Sequence, residues 1–176
     1  MMTTHLYGAR VLSIDPCPKG FGFAVFEGSY TLLDWGVARV WGDSDDSFLA
    51  RIETIVDRYQ PALILIEGEN ARRRTRAKLR LSLIARLASS RGIALRRVSG
   101  WAVRETFKSG RTTKYDIAVA LIAVLPELEL HLPCERKPWT SEDERMHIFD
   151  AVALAWVYIH GIAREGQVSA QLDEAA

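Results

Sequence analysis

Two short apolar runs, each closed by a carboxylate, constrain this chain most: RVLSID at residues 10–15 and ALILIE at residues 62–67. Continuous apolar runs like ALILIE typify strands covered on both faces, because a strand with one wet face alternates polar and apolar residues. Between the runs, Pro16, Pro18 and Gly20 turn the chain, and FGFAVFE at residues 21–27 reads as a second strand. Gly28-Ser29 is a two-residue hairpin signal, so residues 30–40 form a third strand of an antiparallel meander.

The period then changes. Phe48, Leu49, Ile52, Ile55, Val56 and Tyr59 recur at helical spacing after a cap at Asp46 or Ser47, and Pro61 closes that helix. Residues 72–91 read as a long basic helix with Leu79, Leu83, Ile84 and Leu87 in its apolar stripe. Gly92 ends it, and residues 93–98 are a fifth strand. Two shorter helices follow at 101–107 and 114–125, then a loop at 126–140. The last helix starts at Ser141, with Glu144 completing a capping box, and runs to about Ile162. Mixed strands with helices on both faces make an α/β domain. A chain of 176 residues suits one such domain, over residues 1–165, with the small polar residues 166–176 as a flexible tail. Trp35 and Trp156 are expected in the core.

Charge narrows the range of partners. From Arg72 to Lys114 there are 14 Lys or Arg against one acid, Glu105, although the net charge is only +1. A basic stretch on a near-neutral chain points to a polyanion docking on one face, or to a solvated helix surface. Two cysteines, Cys17 and Cys134, are too few for a disulfide scaffold or a CxxC zinc site. No stretch approaches the roughly eighteen apolar residues of a membrane span, and MMTTHLYGAR lacks the apolar core of a signal peptide. The expectation is a reduced, cytoplasmic protein.

One acid at the end of a strand can simply mark where the chain reaches solvent. Two acids, Asp15 and Glu67, ending neighbouring strands can converge, because ligand sites in α/β sheets lie beyond the carboxyl ends of strands. On the last helix Asp143, His147 and Asp150 are spaced i, i+4, i+7 and share one face. Asp150 is followed by AVALAWV, so it sits where the helix meets the core. A buried carboxylate is costly without a partner. Hard divalent cations would supply one, since Mg²⁺ and Mn²⁺ take carboxylate oxygens and Mn²⁺ also takes imidazole. Asp15, Glu67, His147 and Asp150 are thus the candidate ligands of two ions, as in two-metal phosphodiester hydrolysis. His147 can alternatively be an ordinary surface or core histidine. Asp143 is a supporting residue around that site, or only an acid favoured by the helix dipole.

The segments IDPCPKGFGFAVFE, LILIEG and HIFDAVALAW, in this order, resemble the RuvC-type Holliday junction resolvases of the ribonuclease H-like superfamily. That family has an aspartate ending its first strand, a glutamate ending its fourth, and D-x-x-D-A or H-x-x-D-A on its final helix. His147-Ile148-Phe149-Asp150-Ala151 is the histidine version, and the likeness spans about residues 9–162. The resemblance implies a mixed five-stranded ribonuclease H-like sheet, two Mg²⁺ or Mn²⁺ ions per active site, a homodimer, and four-way junction DNA as substrate. It also implies that Lys114, at the start of a helix, stands near the scissile phosphate. This chain departs from the family after Glu67, where GENARRRTRAKLR carries arginines and no aromatic residue.

The expected function is a metal-dependent, structure-selective DNA endonuclease. Arg72, Arg73, Arg74, Arg76, Lys78, Arg80, Arg111, Arg136 and Lys137 are the candidate phosphate contacts. Trp139 is a candidate for stacking on a base, or for packing on its own domain. Two alternatives stay open: a nuclease of the same fold acting on RNA or RNA–DNA hybrids, and a nucleic-acid-binding module without catalysis. An actin-like phosphotransferase begins with a similar aspartate strand but needs a second domain.

Overall fold

A computed structural model describes residues 8–29, 31–42, 44–68, 75–107, 113–137 and 139–174, with side chains as far as residue 161. Arg72, Arg73, Arg74 and Arg111, expected to contact phosphate, lie outside the described residues. Five strands form one sheet: β1 (Arg10–Cys17), β2 (Gly20–Glu27), β3 (Thr31–Arg39), β4 (Leu63–Glu67) and β5 (Ala94–Val98). Their spatial order is β3-β2-β1-β4-β5. The first three pair antiparallel, whereas β4 runs parallel to both β1 and β5. The sheet is therefore mixed, as expected, with β1 at its centre.

The alternation of side chains along β1 and β4 positions the site. Leu12, Ile14, Ile64 and Ile66 face α1 (Asp45–Tyr59) and α2 (Thr75–Ser90), in one apolar cluster with Phe48, Ile52 and Ile84. Val11, Leu63 and Leu65 face the other way, toward α3 (Gly100–Thr106), α4 (Lys114–Val124) and α5 (Met146–Glu174). With a period of two, Asp15 continues the Val11 row and Glu67 the Leu65 row. Both carboxylates thus emerge on the α5 side, at the carboxyl ends of adjacent parallel strands. No helix among the described residues is long and apolar enough to cross a membrane.

Several boundaries differ from expectation for identifiable reasons. Ser44, not Asp46 or Ser47, caps α1, its hydroxyl accepting from the Ser47 amide at 3.3 Å. The expected loop after α4 contains a 3₁₀ turn at Pro126–His131. The helix that carries His147 begins at Met146, not at Ser141. Glu144 does not close a capping box there, because its carboxylate accepts from the Arg39 guanidinium at the end of β3. At its other end α5 passes Ile162 and stays helical to Glu174. Glycines at 161 and 166 cost only about 1 kcal/mol each within a helix, and the residues after them carry no proline.

Arg80 is corrected most clearly. It was expected to contact phosphate, but only 1% of it is exposed. Its Nη1 donates to the carbonyl oxygens of Cys17, Pro18 and Gly20, the turn between β1 and β2. The guanidinium also lies 4.7 Å from the centre of the Phe48 ring. A buried arginine satisfies those carbonyls and braces the turn two residues after Asp15. Arg80→Met should therefore cost about 2–4 kcal/mol in denaturant unfolding, since it strips buried carbonyls of their donor. The salt slope of nucleic-acid binding should stay as in the wild type. A reduced slope with unchanged stability would return Arg80 to the surface.

Candidate active site

Asp15, His147 and Asp150 come together on the α5 face of the sheet. One ligand atom from each lies within 4.8 Å of the other two, the spacing a shared cation needs. His147 Nδ1 is 2.7 Å from Asp15 Oδ2 and 3.8 Å from Asp150 Oδ2. This approach depends on Gly22, the β2 residue paired with Asp15. A Cβ at Gly22 would stand 2.0 Å from the His147 carbonyl oxygen. Helix α5 can thus lie on the sheet at this point only because residue 22 has no side chain.

The electrostatics fit a cation site. Burial pushes the Asp150 carboxyl well above the usual carboxylate range, and the negative charge of Asp15 pushes it the same way. Lys114 and His147 pull against that shift without overcoming it. Burial opposes the positive charge of His147, but its hydrogen bond to Asp15 and the charge of that carboxylate outweigh burial, so its pKa is raised. Two crowded carboxylates and one imidazole at the mouth of a low-dielectric core are a donor set suited to Mg²⁺ or Mn²⁺. Such an ion would relieve the repulsion that holds Asp150 toward its neutral form.

Lys114 completes the inner wall. Its ammonium is 2.6 Å from Asp150 Oδ2 and 3.2 Å from Glu142 Oε2. Burial disfavours that charge, but Asp150 and Glu142 more than compensate, and the lysine pKa is raised. The position of Lys114 comes from the capping box of α4, in which Thr113 and Asp116 bond each other's backbone amides. The lysine is therefore the first helical residue and projects from a rigid helix start.

All of these groups line one open cavity of about 1080 Å³. Glu67 lines it too, but stands outside the tight Asp15–His147–Asp150 set. A Cβ at Gly100 would lie 2.7 Å from Glu67 Oε1, so the carboxylate rests against the start of α3. Arg76 lines the cavity and is 3.7 Å from Asp45 across to α1. Lys78 is exposed on α2, and Arg136 and Lys137 are exposed on the loop before α5.

Three lining residues were missed in the sequence. Glu142 holds Lys114, a contact for which the sequence offered no signal. Asp143 is instead turned to Arg145, whose Nη2 donates to it at 2.7 Å, and among the described residues it makes no hydrogen bond or ion pair to the cluster. The reason is the late start of α5: Asp143 precedes the helix, so the i, i+4 relation to His147 no longer governs it. Arg104 and Ser141 also line the cavity. Arg104 arrives from β5 through α3, and only its place in an otherwise basic stretch could have signalled it.

No protein-family model matches the chain, and no curated protein matches it. Solved structures do. RuvC of T. thermophilus, solved in complex with a Holliday junction substrate, superposes with a TM-score of 0.64 at 19% identity, over 90% of this chain and 96% of that one. The yeast mitochondrial Holliday junction resolvase Ydc2 gives 0.61 at 15% identity, over 98% and 89%. The Fowlpox virus resolvase, solved with Holliday junction DNA, gives 0.52 at 14% identity, over 87% and 98%. At such identities the likeness is one of fold. With strand order, mixed pairing and near-complete mutual coverage in agreement, the chain has the RuvC-type resolvase fold, a form of the ribonuclease H-like fold.

Proposed function

We propose that this chain is a metal-dependent, structure-selective DNA endonuclease, a Holliday junction resolvase or a diverged relative. The observation that carries the reading is the Asp15–His147–Asp150 cluster, with Asp15 buried and the other two half-buried, inside a cavity whose wall also bears Lys114, Arg76 and Arg104. An acidic centre within a basic rim suits a phosphodiester: the rim attracts the polyanion, and the centre holds cations against it. Asp15, His147 and Asp150 would hold Mg²⁺ or Mn²⁺, two ions per site, with Glu67 completing the set from across the cavity. When bound, the ions supply activation of the attacking water and stabilisation of the leaving oxygen. Lys114, fixed by Asp150 and Glu142, offers a preorganised positive charge where phosphorane charge develops. Arg76, Lys78, Arg136 and Lys137 hold backbone phosphates. Two copies acting as a homodimer match the two-fold symmetry of a four-way junction.

The test is a substrate panel with Mg²⁺ or Mn²⁺: four-way junction, duplex, flap, single-stranded RNA and RNA–DNA hybrid. Paired symmetric nicks in the junction, with 5′-phosphate ends, are expected. Cutting confined to RNA or hybrid overturns the DNA assignment. Tight binding without cleavage in either metal identifies a binding module instead.

A further inference from the structure

The five tryptophans of the chain divide into two sets. Trp35 and Trp156 are partly buried against the core beneath α5. Trp41, Trp101 and Trp139 are exposed by 84%, 66% and 80%. An indole is the largest apolar side chain and is normally well covered. Three exposed ones on one small domain need a reason, and their distribution offers it.

All three stand at one end of the sheet. Because β2 alone is reversed, β1, β3, β4 and β5 share a direction, and their carboxyl ends lie together. Trp41 is two residues past β3, and Trp101 three past β5. Trp101 follows Gly100, which lies against Glu67, and precedes Arg104 by one helical turn of α3. Trp139 is on the loop whose Ser141 and Glu142 line the cavity, and Glu144 ties that loop to Arg39 at the end of β3. Of the exposed aliphatic residues, Leu79 is on α2, Val119 is within α4, and Val124 and Leu130 lie at or beyond the end of α4 opposite Lys114.

The exposed indoles also keep company with cations. Lys137 Nζ is 6.0 Å from the centre of the Trp139 ring. Arg104, on the cavity wall, is exposed beside Trp101. Flat aromatic faces interleaved with basic side chains are how proteins hold unpaired nucleotides: the ring stacks on a base, and the cation meets the adjoining phosphate. In a continuous duplex the bases are stacked on each other and offer no face to an indole.

We propose that Trp101 and Trp139 are stacking platforms for unpaired DNA bases beside the carboxylate cavity, and that they select DNA with unstacked bases at the cleavage point. The proposal rests on the endonuclease reading above and adds the chemistry of recognition to it. Trp101 acts from the α3 rim and Trp139 from the loop before α5.

Binding by the full chain is measured in Ca²⁺, with four-way junction, single-stranded DNA and blunt duplex, by anisotropy of labelled DNA and by quenching of tryptophan fluorescence. Trp101→Ala and Trp139→Ala should each weaken junction and single-strand binding about 10–100-fold, while duplex affinity stays within about twofold. Trp101→Phe, which keeps a ring, should recover most of the loss, and Val124→Ala should change nothing. Equal losses on all three DNAs, or none, overturn the proposal. So does a change in self-association with DNA binding intact, because the indoles would then meet a second copy. If the wild type cleaves junctions and the alanine variants bind them normally, stacking alone is wrong. If the wild type neither binds nor cuts DNA, the endonuclease reading fails with it.

Discussion

Replacing Asp15 with asparagine should abolish DNA cleavage, by about 10³-fold or more, while leaving junction affinity within a few-fold of the wild type. Asp15 is the one carboxylate of the cluster that is buried outright. It also contacts the only imidazole of the cluster, at 2.7 Å. The amide is nearly isosteric, so the cavity and its basic rim persist, but a charged ligand is lost. The same variant gives a readout independent of cleavage. At saturating Mn²⁺ the wild type should gain roughly 5–10 °C in melting temperature, the expected linkage for an ion at about 100 times its Kd. Asp15→Asn should gain little. Full activity in the variant, or an undiminished melting shift, would mean that the ions bind elsewhere.

Gly22→Val should lower the proposed DNA cleavage by about 10²-fold without touching a functional group. A Cβ at that position meets the His147 backbone, not the tip of a flexible side chain, so α5 itself has to move. A displacement on the order of 1 Å is enough to cost about 10²-fold in a positioned reaction. Because α5 is a main wall of the core, overpacking there should also cost about 3 kcal/mol in stability. Gly161, on the same helix, is the internal control. Nothing lies within 4 Å of a Cβ there. Gly161→Ala should leave activity unchanged and add a few tenths of a kcal/mol or more to stability. Equal tolerance at the two positions would show that α5 does not depend on close approach at Gly22.

Both predictions concern a site that was largely readable in one dimension. Asp15 and Glu67 could be found because an apolar run that stops at an acid marks a strand end, and strand ends in such sheets are where ligands bind. Their common face was implicit too: counting back by twos from each acid reaches residues of the α5-side core. His147 and Asp150, three apart on a helix with a mostly apolar surface, had to sit at the edge of the core. Local periodicity carries this information because it is set by backbone geometry, which a sequence states directly.

What could not be read was which partner each charged side chain would find. Arg76, Lys78 and Arg80 are alike in a basic run, yet Arg80 is buried beneath the β1–β2 turn and Lys78 is exposed. That outcome depends on carbonyls some 60 residues away in sequence. Glu144 was read as a local cap and instead pairs with Arg39, 105 residues earlier. Asp143, expected to support the candidate site, pairs with Arg145 for the same reason, because α5 starts only at Met146. Sequence by itself indicated the five strands, the helices' apolar stripes and the candidate carboxylates, since these follow from period and hydrophobicity, although β1 runs two residues past Asp15 to Cys17. Only the tertiary structure decided that Gly22 admits α5, that Arg80 is a brace, that Glu142 holds Lys114, and that three tryptophans share one end of the sheet. Those are long-range pairings, selected by burial and charge across the folded chain, and no local pattern encodes them.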